Sequence, residues 1–294
     1  MKIAHLIMAH KNPEQLGRLL TALQHEDFYF FIHLDSKCEL ADYEHLTQRP
    51  RVQFTARRFA VRWASYHFTN AIIECTRDIL ASGQPFHFIN LLSGQDYPIK
   101  PAAAIHDFFA RHRGYSFLSF EREGASSWWQ HAKSRIEKYH TTYFHFRGQY
   151  TLQKLVNWVL PRRQFPLPYA LYGGSDGSWW TLDVACAAYL VQFMDAHPKL
   201  QRFSRFTWGS DEFLITTVLM NSHFKRSIIN ENYRYIDWSA GGANPRLLTS
   251  DDFPKLAHAH KLFARKFDAD HDPRILNLLD EWLLRLRPRA VAAG

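Results

Sequence analysis

The chain has 294 residues, of which 46% are hydrophobic and 22% are charged. This length suits one large domain or two closely packed halves, and this composition excludes a disordered chain, a collagen-like repeat and a coiled coil. The formal net charge of +8 indicates an anionic partner, which could be a nucleic acid, a membrane surface or a polyanionic small molecule.

The cysteines and the first residues of the chain indicate the cellular compartment in which the protein works. Cys38, Cys75 and Cys186 lie far apart, without the spacing of a metal site or a disulfide framework, which indicates a reducing compartment. No secretory pattern precedes the first predicted strand, and no stretch reaches the roughly 18 apolar residues of a membrane span. We therefore expect a soluble cytoplasmic protein, or one that touches a membrane only with its surface.

The first hundred residues alternate predicted strands and helices. The strands are Lys2–Ala9, Phe28–Leu34, Val52–Thr55 and His87–Leu92, and the helices are Glu14–Gln24 and Ala64–Ala81. This rhythm predicts a mostly parallel sheet with helices on both faces, in which ligands bind at the carboxyl ends of the strands. Polar clusters follow three of the strands, at residues 10–12, 35–37 and 93–96. That edge is the predicted site.

The middle of the chain, residues 121–172, changes character. It is basic and aromatic, with Trp128, Trp129 and the pair Arg162-Arg163 among its residues. We interpret it as a long, partly irregular insertion over the site, of the kind that selects an acceptor. A solvated basic surface is an equally open interpretation.

Regular structure returns after the insertion. The predicted elements are a turn at 173–178, a strand at Trp179–Leu182, a helix at Val184–Phe193 and an amphipathic tail helix at Arg274–Arg287. Ser210, followed by two acids and the apolar run Phe213–Met220, resembles a helix N-cap with carboxylates in the first turn.

Glu212 is the strongest candidate for a general base. Such a base must lie near the acceptor and be ionised at the working pH. A helix N-terminus would stabilise the charge of Glu212, and partial burial would raise its pKa. Taken alone, the pattern favours an acid that only stabilises the helix N-terminus.

An enzyme that handles a diphosphate needs a divalent ion or a pair of cations. The usual ion-binding motif is an Asp-x-Asp at the end of a mid-domain strand, but the sequence there is Ser93-Gly94-Gln95-Asp96. An Asp-x-Asp does occur at Asp268-Ala269-Asp270, but it comes late in the chain and after a basic cluster, so we do not expect it to bind a metal. Arg265 and Lys266, between apolar neighbours, could supply two fixed cations instead. Taken alone, the pair favours an ordinary charged pair on the surface. Motifs of P-loop enzymes, dehydrogenases, serine hydrolases and zinc proteases are absent.

Eight blocks of the sequence resemble the core-2/I-branching β-1,6-N-acetylglucosaminyltransferases, a family that includes peptide O-xylosyltransferases. In order they are AHLIMAHKNPEQL, FIHLDSK, VRWASYH, FINLLSGQDYPIK, GGSDGSWWTL, SDEFLITTVLMNS, RYIDW and LFARKFD. The resemblance implies a single GT-A-like α/β domain with a mostly parallel central sheet. Its parts would be a nucleotide-binding half at about 1–120, the insertion, and an acceptor and catalytic half at 173–294.

The resemblance also implies roles for individual residues. The reaction would be an inverting transfer of a sugar, first of all N-acetylglucosamine, from a UDP-sugar to a glycan hydroxyl without a divalent metal. Glu212 would be the catalytic base, and Arg265 and Lys266 would hold the diphosphate. The other candidate substrate-binding residues are Asp35, Arg62 and Trp63 near the uridine, Asp96 and Asp176 near the donor sugar or as residues that shape its loops, Arg234 as a second phosphate contact, and the motif residues Trp179 and Asp211.

The animal members carry a membrane anchor, a stem and many cysteines, and this sequence has no such features. We therefore expect a bacterial, cytoplasmic enzyme of surface-polysaccharide assembly, acting on a glycan or lipid-linked oligosaccharide. It would touch anionic lipid peripherally on the inner face of the cytoplasmic membrane and bind no nucleic acid. UDP-xylose, UDP-glucose and UDP-galactose are alternative donors, and metal dependence is a further alternative. A non-catalytic carbohydrate- or nucleic-acid-binding protein is the alternative from another class.

Overall fold

A seven-stranded sheet organises the computed structural model, which describes residues 1–286. The strands are β1 (Lys2–Ala9), β2 (Phe28–Leu34), β3 (Val52–Phe54), β4 (Phe86–Ser93), β5 (Asp96–Pro98), β6 (Ser116–Leu118), β7 (Glu121–Arg122), β8 (Tyr172–Gly173), β9 (Thr181–Asp183), β10 (Ile228–Asn230), β11 (Arg234–Ile236) and β12 (Phe263–Arg265). The helices are α1 (Pro13–Ala22), α2 (Ala41–Glu44), α3 (Tyr66–Ala81), α4 (Ala102–Arg111), α5 (Ser127–Glu137), α6 (Gln149–Val159), α7 (Val184–Ala196), α8 (Pro198–Ser204), α9 (Leu214–Met220), α10 (Phe253–His258) and α11 (Pro273–Arg285).

The order of strands in the main sheet is β10-β6-β9-β4-β1-β2-β3. β1 is central and pairs in parallel with β2 and β4, and β2 pairs in parallel with β3. Only β9 runs against its neighbours, β4 and β6. The predicted α/β domain with a mostly parallel central sheet flanked by helices is confirmed.

Alternating side chains of β1 divide the core into two layers. Ile3 and Ile7 pack with apolar residues of α1 and α11, whereas Ala4 and Leu6 pack on the other face with α3, α7 and α9. Seven of the eight residues of β1 are buried, so the strand is apolar on both faces. This explains why the sequence there is a continuous apolar run and not an alternating one.

The predicted elements of the first hundred residues are present, with small changes at their ends. α3 begins at Tyr66 and not at Ala64, because Ala64 has a positive φ of 54° and the Ser65 hydroxyl accepts a hydrogen bond from the His67 N–H. The insertion is more regular than predicted, since it contains α5 and α6. α11 ends at Arg285, and the predicted end at Arg287 lies outside the described residues.

The helix N-cap predicted at Ser210 is wrong. Residues 210–212 form a separate 3₁₀ turn, and α9 begins only at Leu214 after Phe213 leaves the helical conformation. The Ser210 hydroxyl shares a 2.8 Å hydrogen bond with the Thr69 hydroxyl and makes no cap. The carboxylates of this turn are therefore not in the first turn of α9.

A second, three-stranded sheet has the order β11-β12-β5. Its antiparallel pairing of β12 with β5 sets Arg265 directly opposite Asp96. Because β5 follows β4 after a short turn, this sheet brings the late motif LFARKFD to the carboxyl edge of the main sheet. Among residues 1–286, no helix has both the length and the apolar character needed to cross a membrane.

Candidate active site

A cleft of about 480 Å³ lies at the carboxyl edge of the main sheet. Residues at or just after the ends of β1, β2 and β4 line it, namely His10, Asp35, Lys37, Ser93 and Gln95. These residues come from the three polar clusters that the sequence placed at strand ends, so the predicted edge is the one that carries the cleft. Asn12 of the first cluster instead caps α1, where its side chain accepts a hydrogen bond of 2.9 Å from the Gln15 N–H.

Asp35 organises one wall of the cleft. Its buried carboxylate accepts hydrogen bonds from the backbone N–H groups of Lys37 (3.0 Å) and Val61 (3.2 Å). The second bond fixes the start of the loop that presents Arg62 and Trp63 to the cleft. Trp63 is 60% exposed, so a flat ligand could pack against it.

Arg265 and Lys266 supply positive charge to the opposite part of the lining. The Arg265 Nε donates a 3.0 Å hydrogen bond to Asp96 Oδ1, and its guanidinium carbon lies 3.9 Å from the centre of the Trp179 ring. Lys266 lines the cleft and has no salt-bridge partner among residues 1–286. Burial and the neighbouring charge of Arg265 lower the pKa of Lys266. A bound anion would relieve this repulsion between cations.

Two predicted substrate contacts lie behind the cleft. Asp96 is fully buried and also accepts hydrogen bonds from the Ser93 N–H (3.1 Å) and hydroxyl (2.8 Å). Arg234 is 3% exposed and donates hydrogen bonds of 2.9 Å to the carbonyls of Leu91 and Trp180. Neither side chain lines the cleft. Both side chains already make hydrogen bonds to groups in the protein interior. Asp96 therefore positions Arg265, and Arg234 joins β11 to the main sheet.

Asp176 and Asp211 belong to two turns that pack against each other. Asp176 accepts a 2.6 Å hydrogen bond from the Trp238 indole, and Asp211 accepts one of 2.6 Å from the Ser178 hydroxyl. Burial raises the pKa of both carboxyls. Asp211 lines the cleft with Trp179, whereas Asp176 reaches it only through Trp238.

Glu212 lines the cleft, and its carboxyl group has a pKa close to neutral pH. Burial and the adjacent Asp211 raise its pKa to about 7, although Arg135 opposes this increase. The carboxylate accepts a hydrogen bond from Arg135 Nη1. Its backbone carbonyl accepts one of 3.1 Å from the Gly174 N–H, which fixes the turn. A carboxylate with this pKa can accept a proton at physiological pH.

Arg135, which no sequence motif singles out as a site residue, pairs with Glu212. It comes from α5 in the insertion, and its guanidinium carbon lies 4.1 Å from the centre of the Trp208 ring and 5.2 Å from that of Trp128. Gly209 makes this approach possible, because it has a φ of 63° and an added Cβ would lie 3.0 Å from Arg135 Nη1. Arg135 and Glu212 are 77 residues apart, so no local signal links them.

The candidate metal ligands lie elsewhere. Within the described part of the chain, one group of three has ligand atoms within 4.8 Å of one another: His25, Asp27 and His106. It lies at the amino ends of β1 and β2, opposite the cleft, and Asp27 already pairs with the amino group of Met1 and with His106, both at 2.8 Å. Metal independence of the cleft stays a prediction.

The cleft therefore brings together the cations Arg265 and Lys266 and the Glu212 carboxyl group, whose pKa is about 7. A model of the family "Branch: Core-2/I-Branching enzyme" matches residues 3–257. The chain therefore belongs to the Core-2/I-Branching enzyme family, which is a family of glycosyltransferases. This confirms the predicted family and the predicted class of enzyme.

Several curated relatives that the chain matches are named xylosyltransferases. It is 26% identical to Xylosyltransferase 2 of Rattus norvegicus over 95% of its own length, and 27% identical to Xylosyltransferase 2 of Homo sapiens over 95%. It is 26% identical to Xylosyltransferase oxt of Drosophila pseudoobscura pseudoobscura over 96%. In each case the chain spans only 33% of the relative.

Among solved structures, the chain is similar to mouse Xyloside xylosyltransferase 1 in its apo form. The TM-score is 0.39 and the sequence identity is 11%, over 89% of this chain and 97% of the other.

Proposed function

We propose that the protein transfers a sugar from a UDP-sugar to a hydroxyl group of a glycan acceptor, with inversion at the anomeric carbon and without a divalent metal. The observation that carries this proposal is the presence, in one cleft, of Glu212 with a pKa of about 7 and of the cations Arg265 and Lys266. Membership in a glycosyltransferase family supports it.

The proposed reaction is a single displacement. Glu212 accepts the proton of the acceptor hydroxyl as its oxygen attacks the anomeric carbon, and the bond from that carbon to the UDP oxygen breaks. The charge that develops on the leaving diphosphate is stabilised by Lys266 and by Arg265, whose orientation Asp96 fixes. Arg135 holds Glu212 in place and favours its ionised form.

The identity of the donor sugar is a narrower proposal. The sequence motifs favour N-acetylglucosamine, and the names of the curated relatives favour xylose. UDP-N-acetylglucosamine and UDP-xylose are therefore the first donors to test, followed by UDP-glucose and UDP-galactose.

A groove of about 540 Å³ beside the cleft is the proposed acceptor site. It shares Arg62, Trp63 and Trp208 with the cleft, and the rings of the two tryptophans meet edge to face at 5.3 Å. Its other lining residues include His140, His145, Tyr150 and Gln153. Aromatic faces next to hydrogen-bonding side chains suit a sugar chain. We propose a glycan or lipid-linked oligosaccharide of surface-polysaccharide assembly as the acceptor.

Thermal unfolding with a panel of nucleotide sugars, with and without EDTA, tests this function. A ligand at about 100 times its dissociation constant adds about 2.7 kcal/mol to the free energy of unfolding. We expect one UDP-sugar to raise the melting temperature equally with and without EDTA. Stabilisation that EDTA abolishes would contradict metal independence, and the absence of any shift with all UDP compounds would contradict the proposed donor.

A further inference from the structure

Helix α6, in the insertion, exposes its apolar side chains. None of its residues is buried. The exposed large apolar residues of the helix and their exposed fractions are Tyr150 (63%), Leu152 (44%), Leu155 (54%), Trp158 (83%) and Val159 (62%). Isolated exposed apolar residues are ordinary on a protein surface, but five on one short helix form a patch that indicates an interaction site.

Polar side chains hold the inward face of α6. Gln153 accepts a 2.8 Å hydrogen bond from the Thr141 N–H. Asn157 accepts one of 2.8 Å from the Tyr139 N–H and donates one of 2.7 Å to the Tyr139 carbonyl. These bonds fix the rotation of the helix about its axis. Because these bonds hold the polar face of α6 against the protein, its apolar face points outward.

The outward-facing apolar side chains of α6 contrast with the arrangement in α11. α11 is also amphipathic, and it is oriented in the usual way: it buries Ile275, Leu276, Leu279 and Leu283 against the core. α6 has the reverse orientation, since its amide side chains face the protein and its leucines and tryptophan face outward.

The charges around α6 identify the surface that would cover it. Lys154 is exposed on the helix, Arg147 is exposed just before it, and the Arg162 side chain just after it is 80% exposed. Cations around exposed Trp, Tyr and Leu match an anionic lipid surface, in which the rings and aliphatic groups enter the headgroup region and the cations meet lipid phosphates. A second copy of the chain would instead bring like charges together.

We propose that α6 docks the protein on the surface of a bilayer that contains anionic lipid. The amino-terminal part of the helix also lines the acceptor groove, through Gln149, Tyr150 and Gln153. Docking would thus hold the groove near the membrane surface, where a lipid-linked acceptor presents its sugars. This consequence rests on the proposed function, whereas the docking itself does not.

Vesicle flotation tests the proposal with the full chain. The probes are vesicles of phosphatidylcholine alone and of phosphatidylcholine mixed with phosphatidylglycerol. We expect the wild-type protein to float with the anionic vesicles, and added salt to weaken this binding. The double substitution Leu155→Gln/Trp158→Gln should lower the partition coefficient at least about tenfold, which corresponds to about 1.4 kcal/mol. Leu284→Gln, which changes a leucine that is 59% exposed on α11, should leave binding unchanged.

Three outcomes would overturn the proposal. The first is wild-type protein that does not float with either vesicle, and the second is a double variant that binds as well as wild type. The third is a concentration-dependent dimer that the double substitution abolishes, which would assign α6 to a second copy. Stabilisation by UDP, measured on the same variants, should not change. Wild-type protein that floats with anionic vesicles but that no UDP compound stabilises would contradict the transferase function and leave the docking surface standing.

Discussion

Two arginines at the cleft have similar surroundings and act differently. Arg265 lines the cleft, lies 3.9 Å from the ring of Trp179 and pairs with Asp96. Arg135 does not line the cleft but contacts two residues that do, because it lies 4.1 Å from the ring of Trp208 and pairs with Glu212. In each pair a guanidinium stacked on an aromatic ring meets a carboxylate, which is fully buried in Asp96 and 21% exposed in Glu212. One pair belongs to the second sheet and the other to the insertion.

The difference lies in what else each carboxylate contacts. Asp96 accepts hydrogen bonds from Arg265 and from both donors of Ser93, and it does not line the cleft. Glu212 lines the cleft next to Asp211, and burial raises its pKa to about 7. The first pair therefore fixes the position of a cation, and the second provides a group that can gain and lose a proton.

Replacing Glu212 tests the second pair most severely. We expect Glu212→Gln to lower the transfer rate by about 10²–10⁴-fold, because it keeps the shape and removes the base. UDP affinity should survive, as measured by calorimetry. Asp211→Asn is the matched control from the same turn and should cost less. If Asp211→Asn removed the activity and Glu212→Gln retained it, Asp211 would be the base.

Replacing Asp96 tests the first pair through stability. Asp96→Asn leaves the buried Arg265 without its counter-charge, and breaking a buried pair costs about 3–5 kcal/mol of unfolding free energy. Urea denaturation measures this loss. As a control, Asp195→Asn breaks an exposed pair with Arg77 and should cost about 1 kcal/mol or less. Equal losses in the two variants would refute the structural role of Asp96.

Lys266 should contribute to donor binding. Lys266→Ala removes a charged hydrogen-bond donor, which costs about 1.5–3 kcal/mol, and should weaken UDP binding about 10- to 150-fold. Lys261→Ala is a close control, because Lys261 pairs with Glu231 and does not line the cleft. Calorimetric titration with UDP measures both. Unchanged affinity in Lys266→Ala would remove this residue from the donor site.

The smallest expected effect is a shift of the pH profile. Glu212 works as a base only when ionised, so kcat/KM should fall as the pH decreases through about 7. Arg135 lowers this pKa, so Arg135→Gln should move the acidic limb to higher pH. A shift of about one unit corresponds to about 1.4 kcal/mol and to about fivefold lower activity at pH 7. Arg135→Lys keeps the charge and should shift less. If the acidic limb of the pH profile did not move in Arg135→Gln, Arg135 would not influence the pKa of the base.

Much of the fold follows from local patterns. The apolar run of β1 and the helical spacing of α3 depend on residues close in sequence, and the structure has both where they were predicted. The polar clusters at the ends of β1, β2 and β4 line one cleft, because parallel strands end at the same edge. The position of the site could therefore be predicted from the sequence.

The local environment of the site could not be predicted in the same way. The pattern at Ser210 predicted a helix cap, but the hydroxyl bonds to Thr69 on α3, which is 141 residues away. Arg234 and Asp96 are predicted substrate contacts that the structure places in the interior, away from the cleft lining. The cause is the same in each case, because a polar residue has the same sequence pattern whether its partner is a ligand or a distant part of the chain.

The sequence by itself determined the α/β architecture, the edge that carries the cleft, and the family. Short-range periodicity and the order of the motifs are enough for these. Only the tertiary structure decided that Arg135 pairs with Glu212, that Asp96 supports Arg265, and that α6 turns its apolar face outward. These features depend on burial and on contacts between remote segments, which set the pKa values and the exposed surfaces, and no local pattern of residues encodes them.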